Sequence, residues 1–312
     1  MSPSKAQSPF LAQVRAAIRV RHYSVRTEQS YIDWIVRFIQ FNDRRHPREL
    51  GEIEVAAFLT FLAVELKVAA STQNQALNAL SFLYRAVLDR PLEKIRGVVR
   101  AKQPQNLPIV LTQEEIGKLL GSIDDVYWLP VCLMYGSGLR LMETVRLRVK
   151  DLDFDRRAVY VRGGKGAKDR VVTLPDELNV PLRRHLQSVR LFHEKDLADG
   201  FGDAHLPHAL ARKYPNAGRQ WPWQYVFPAH RRSTDPRSGM TRRHHIDPTA
   251  IQRAVRQGVR KAGIEKPASC HTLRHYVSFL TMSSSAAASS DMVGSQRSCR
   301  QIVRAATRHS FP

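Results

Sequence analysis

The chain has 312 residues, 43% of them hydrophobic, and carries 49 lysines and arginines against 28 acids, a formal charge of +21. That apolar content supports about two domains with real cores, which excludes a disordered basic tail. The longest apolar run, residues 126–135, is far short of the ~20 residues a bilayer span needs, and no apolar signal core accompanies Lys5, Arg15 and Arg19.

The first hundred residues read as helices. Tyr31, Trp34, Ile35, Phe38 and Ile39 form one apolar stripe, with Ser24 and Thr27 as possible caps. Val55, Phe58, Leu59 and Leu62 make a second stripe. Leu77, Leu80, Leu83, Tyr84 and Val87 make a third, with Ser71 and Thr72 as candidate caps. A helical domain over residues 1–102 follows. The polar, basic RAKQPQNL segment then reads as a linker. Thr112-x-x-Glu115 is a capping box that opens a second domain, over residues 108–276, with Ile116, Leu119 and Leu120 on its buried face.

From Ala158 the period changes. AVYVR and RVVTL are β-branched runs around GGKGAKD, which predicts a β-hairpin with a basic tip. A helix is expected over residues 181–195. The stretch 206–240, rich in Pro, His, Trp and Arg, is long for a plain connection. Residues 249–262 read as a helix, and another starts near His271. The fold class is mainly α with a small β-hairpin sheet, α+β. The serine-and-alanine run at 283–290 opens an aberrant tail, 277–312, read as low-complexity and disordered.

Both parts of the chain are basic: residues 1–100 hold 15 basic and 9 acidic groups, the remainder 34 and 19. A folded protein of this charge takes a polyanion as partner, and its binding is salt-dependent because phosphate contacts release counterions. Charge alone does not separate a DNA enzyme from a repressor or a ribosomal protein.

Three segments carry chemistry: GLRLME around Arg140, the hairpin tip around Lys165, and HTLRH from His271 to His275. An arginine offers a planar fork for two phosphate oxygens, and two forks can hold one phosphate. A lysine on a glycine-flanked tip can protonate a leaving oxygen. A histidine three residues before an arginine shares its helix face. Together they describe phosphoryl transfer without a metal. Each also has a plainer reading: Arg140 as a helix-end residue paired with Glu143, GGKGAKD as a solvated turn, His271–His275 as a surface helix start. Asp151, Asp153 and Asp155 raise a metal-dependent nuclease as an alternative, although DxDxD before a strand reads as a turn. Cys132, Cys270 and Cys299 have no zinc-ligand spacing. No metal or cofactor is expected, and the setting expected is the reduced cytoplasm, in association with the nucleoid.

The order of these segments resembles the tyrosine recombinases of the phage integrase family, and among them the integron integrases. GLRLMET aligns Arg140, GKGAKDR aligns Lys165, and HTLRH aligns His271 and Arg274 with the family's catalytic residues. RHYSVRTEQSYIDWI, RVKDLDFD and LPHALARKYPNAGRQWPWQYVF resemble integron integrases in particular. The resemblance implies a helical core-binding domain followed by a catalytic domain. It implies DNA as partner, duplex or folded single-stranded attachment sites, and assembly as a homotetramer. Arg140 and Arg274 would hold the scissile phosphate, Lys165 would protonate the departing 5′ oxygen, and His271 would assist. DNA contacts are expected from Arg26, Lys150, Lys168, Arg170, Trp221, Trp223, Arg242, Arg243, His244 and His245. For Trp221, Trp223, His244 and His245, packing within the protein is the competing expectation.

The sequence departs from the family at its end. The family's nucleophilic tyrosine and the Leu-Gly-His segment before it should follow HTLRH, yet the last tyrosine is Tyr276. Tyr276 directly follows HTLRH and has no span to reach the phosphate. The expectation is a catalytic domain truncated by a frameshift, able to bind DNA but not to cleave it, alongside a non-catalytic sequence-specific DNA-binding protein as the alternative.

Overall fold

The computed structural model describes residues 8–93, 95, 97–101, 109–164, 168–206, 208–235 and 238–274. The chain divides into two compact units, Met1–Asn106 and Leu107–Pro312. The expected tail at 277–312 lies outside the described residues.

The first unit is built from α1 (Pro9–Val20), α2 (Val25–Phe41), α3 (Glu52–Val64) and α4 (Ala70–Ala86). Ser24 caps α2, its hydroxyl accepting from the Thr27 amide at 3.1 Å. The three stripes converge as their spacing requires: Ile35, Phe38, Val55, Leu59, Leu80 and Leu83 are all essentially inaccessible to water. Ser71 and Thr72 do not cap α4. That helix starts at Ala70, and its N-cap Ala69 offers no side-chain bond. Buried Gln73 fastens the chain after α4 instead, donating to the carbonyls of Leu59 and Val99 and accepting from the Ala101 amide.

The second unit opens with the expected capping box on α5 (Gln113–Gly121). Thr112 and Glu115 exchange bonds of 3.2 and 2.7 Å. The apolar α6 (Asp125–Ser137) runs through the centre of the core, and α7 (Leu141–Arg146) follows after a sharp reversal. Three short strands, β1 (Leu152–Asp153), β2 (Ala158–Val161) and β3 (Arg170–Thr173), pair antiparallel in that order. The β2–β3 register sets Val161 opposite Arg170, the hairpin pairing its sequence predicts, and residues 165–167 of the tip lie outside the described residues. Asp151, Asp153 and Asp155 form no cation site. Asp151 is buried, accepting from the Arg148 amide and from Arg162, and Asp153 accepts from the Arg156 amide in the following turn. Among the described residues no group of acids, histidines or cysteines could hold a metal ion.

Helix α8 (Asn179–Ala198) is longer than the spacing predicts by a few residues at each end. The 206–240 stretch carries α9 (His208–Lys213), 3-10 turns at Ala217–Arg219 and Trp221–Trp223, and β4 (Ser233–Thr234), which pairs with β5 (Thr241–Arg242) just past its end. Helix α10 (Pro248–Lys261), capped by Asp247, packs Ile251, Ala254, Val255 and Gly258 onto α5 and α6. Among the described residues no helix is long and apolar enough to cross a membrane.

Candidate active site: an arginine cleft beside the hairpin

Gly138 ends α6 with φ of 61°, a left-handed turn that a Cβ would strain, and so lets the chain reverse into α7. Arg140 is the residue that emerges from the reversal. It sits at the N-cap of α7 in extended conformation, and its own amide donates to Glu143 Oε2 at 2.8 Å. Its guanidinium bonds Glu143 Oε1, also at 2.8 Å. The side chain is thereby aimed and two-thirds buried.

Glu143 has a second guanidinium on it. Arg170, at the start of β3, donates to both carboxylate oxygens at 2.8 and 2.6 Å. Burial alone would raise the Glu143 carboxyl, but the bonds from Arg170 and Arg140 outweigh it and hold the group at about 2. The carboxylate therefore ties the hairpin to the arginine-bearing turn.

Residues 270–274 are helical, and Ser269 caps them: its hydroxyl accepts from the His271 amide and its carbonyl from the Thr272 amide. His271 and Arg274 share one face and open, with Arg140, into a cleft of about 560 Å³. Gln252 and Arg256 of α10 and Met142 also line it. His271 is exposed and Arg274 half-buried. Burial, then the neighbouring Arg140, push the Arg274 guanidinium below its ordinary value, with Glu143 only partly opposing. Two guanidiniums that repel each other at the mouth of one cleft are stabilised by an anion between them.

Lys165 lies outside the described residues. Its neighbour Gly164 donates to the Lys168 carbonyl at 3.1 Å, and a Cβ on Gly164 would stand 3.6 Å from Glu143 Oε1. The root of the tip is thus against the site. Lys168 is exposed at the same end of the hairpin.

The other expected contacts are scattered. Arg26 is exposed on α2, in the first unit. Lys150 stands over the Trp223 ring with Nζ 2.9 Å from its centroid. Trp221 packs against the core, its ring 6.0 Å from that of His193. Arg243 is engaged within the protein, where it forms a two-bond pair with the buried Asp196 at 2.5 and 2.8 Å and donates to the carbonyls of Ala229 and His230. Arg242 pairs with Asp203 at 3.0 Å. His245 is packed edge-on against Tyr225, and burial lowers its imidazole below the usual value. The His244 side chain is half-buried, and its carbonyl accepts from the Ala229 amide.

The structure thus brings together Arg140, His271, Arg274 and Arg170, and joins to them Glu143, Gln252 and Arg256. Sequence reading gave Glu143 only an ion-pair role and missed Gln252 and Arg256. The basic face of α10, with Arg253, Arg256 and Arg260 at helical spacing, was the available signal.

A helical N-terminal unit, followed by a helical unit whose hairpin abuts paired arginines and a histidine, has the build of a tyrosine recombinase. The family models agree: the chain matches the phage integrase N-terminal SAM-like domain over residues 10–94 and the phage integrase family over residues 110–288. The chain belongs to the phage integrase family. Curated proteins described as "Integrase/recombinase" from Escherichia coli and Pseudomonas aeruginosa are each 49% identical over 265 residues, 85% of this chain and 79% of theirs. Among solved structures, a lambda integrase dimer bound to a COC′ core site shares the fold, with a TM-score of 0.55 and 14% identity over 97% of this chain and 94% of that one.

Proposed function

We propose that this chain binds DNA and grips one backbone phosphate between Arg140 and Arg274, the phosphate-holding step of site-specific recombination. The observation that carries this reading is the single cleft into which Arg140, His271 and Arg274 open. In the complete reaction a tyrosine oxygen attacks the phosphorus, a 3′-phosphotyrosyl bond forms, and the bond to the 5′ oxygen breaks as that oxygen takes a proton. The energy of the phosphodiester is kept in the new ester, so no nucleotide is consumed. Arg140 and Arg274 neutralise the charge that grows on the non-bridging oxygens, His271 assists the proton transfer, and Lys165 is the donor to the leaving oxygen.

No tyrosine follows Tyr276 in the 312 residues, and the family's second histidine is also missing after HTLRH. We therefore read this chain as competent to bind and unable to cleave, with a frameshift after codon 275 as the origin of the tail. The insertion around Trp221 and Trp223 supports kinship with integron integrases and recognition of folded single-stranded sites. Tetramer assembly and residence with the nucleoid follow from the same kinship.

The test is binding of labelled duplex and hairpin oligonucleotides by the full chain, compared with R140A and R274A. Each charge-assisted contact is worth about 1.5–3 kcal/mol, so each variant should bind about tenfold or more weakly. Variants that bind as the wild type does would overturn the clamp.

A further inference from the structure

Beside the arginine cleft lies a second one, of about 580 Å³, which shares only Arg140 and Met142 with the first. Arg146, Arg148, Lys150 and Arg162 line it, against two carboxylates, Glu143 and Asp151. Both carboxylates are already committed. Glu143 is held by Arg140 and Arg170, and Asp151 accepts from the Arg148 amide and from Arg162 Nε at 2.9 Å.

The remaining cations rest on neutral groups. The Arg148 guanidinium donates to the carbonyls of Trp223 at 2.6 Å and His205 at 2.7 Å and to the Tyr225 hydroxyl, and lies 3.9 Å from the Tyr225 ring centroid. Lys150 is seated on the Trp223 ring. Arg146, exposed at the end of α7, makes no ion pair among the described residues. Burial lowers the Lys150 ammonium below its ordinary value, and Arg162 and Arg148 push the same way, with Asp151 opposing. The cleft is a basin of positive charge whose internal acids are used up.

We propose that this cleft is a second phosphate subsite, in which Arg146 and Lys150 hold a backbone phosphate of the same DNA strand whose neighbouring phosphate Arg140 and Arg274 grip. It rests on the DNA-binding reading above. Arg140 stands at the seam of the two clefts, so a strand can pass from one to the other without leaving cationic surface. Two adjoining anion sites with a shared arginine fit a chain of phosphates, whereas a lone phosphate would leave one of them empty. The face of Trp223 toward the cleft is covered by Lys150, so the ring supports an ammonium there. Arg148, fixed by three oxygens, supplies charge from behind and holds the wall in place.

The experiment is a salt titration of the full chain binding a fluorescein-labelled duplex oligonucleotide, for wild type, R146Q, K150Q, R146K, K150R and R156Q. Each phosphate contact contributes about 0.9 to the slope of log K against log salt. The slope should become shallower in R146Q and in K150Q, by up to about that amount in each, and stay near the wild-type value in R146K and K150R. Arg156, on the turn at the far end of the hairpin, serves as a control for bulk charge, and R156Q should keep the wild-type slope. Wild-type slopes in R146Q and K150Q would overturn the subsite while leaving the clamp standing. An equal change in R156Q would overturn it too, by showing only bulk charge. A wild-type chain that binds no duplex would overturn the DNA-binding reading itself.

Discussion

Glu143 accepts from two guanidiniums and a backbone amide, and only Arg140 among its donors was legible from spacing. Arg170 is 27 residues away in sequence and reaches Glu143 because the hairpin returns the chain to α7. The carboxyl falls from an ordinary 4.5 to about 2 in the fold. Its stabilisation is therefore fully present above about pH 4.5 and is lost as pH drops toward 2. At about 1.4 kcal/mol per unit the ceiling is about 3 kcal/mol. E143Q should be less stable than wild type by up to that amount at neutral pH, and the gap should close on acidification between those values, as read by urea melts at stepped pH. That His271 and Arg274 share a face was legible because three residues is a helical spacing, whereas Arg140 joins them in one cleft only through the reversal at Gly138. The internal pairing of Arg243 was not, since Asp196 is 47 residues away and only the return of the chain past α8 joins them.

At the scale of elements, helical stripes and the hairpin were legible because burial enforces period on them. The α4 start was misplaced for the same reason that caps are weak signals: Ser71 and Thr72 were plausible caps, but the helix begins earlier and packs Ala70 inward. The 206–240 insertion showed no period because its structure comes from tertiary bonds, such as the Gln224 amide donating to the carbonyls of Gly202 and Gly218. In α10, a glycine in mid-helix looks like a liability of about 1 kcal/mol relative to alanine. Gly258 has a packing reason: a Cβ there would lie 2.7 Å from Ile123 Cδ1 and 3.0 Å from Leu119 Cδ1. G258A should therefore fall short of the roughly 1 kcal/mol gain that propensity alone predicts, because Ile123 and Leu119 must shift to admit the methyl; denaturant unfolding against wild type measures the shortfall.

Across the molecule, the order of the motifs pointed to the family, but it did not show how the second unit is held. Part of that hold is a set of neutral histidines. Burial lowers His185, His193, His205 and His245 below the usual imidazole value, and His185 Nε2 also bonds the Val226 carbonyl at 2.8 Å. Unfolding lets these rings take up protons, so stability is full above about pH 6.5 and falls as pH drops below it. Melting temperatures measured from pH 8 to pH 5 should be flat at first and then decline.

The most direct measurement of the central claim, a phosphate clamp without a nucleophile, is covalent trapping of the 312-residue chain on nicked attachment-site DNA, run on a denaturing gel beside a binding assay at two salt concentrations. The account predicts salt-sensitive binding that weakens in R140A and R274A, and no band of DNA-linked protein. A covalent band would contradict it, and mapping the attached residue would identify the nucleophile.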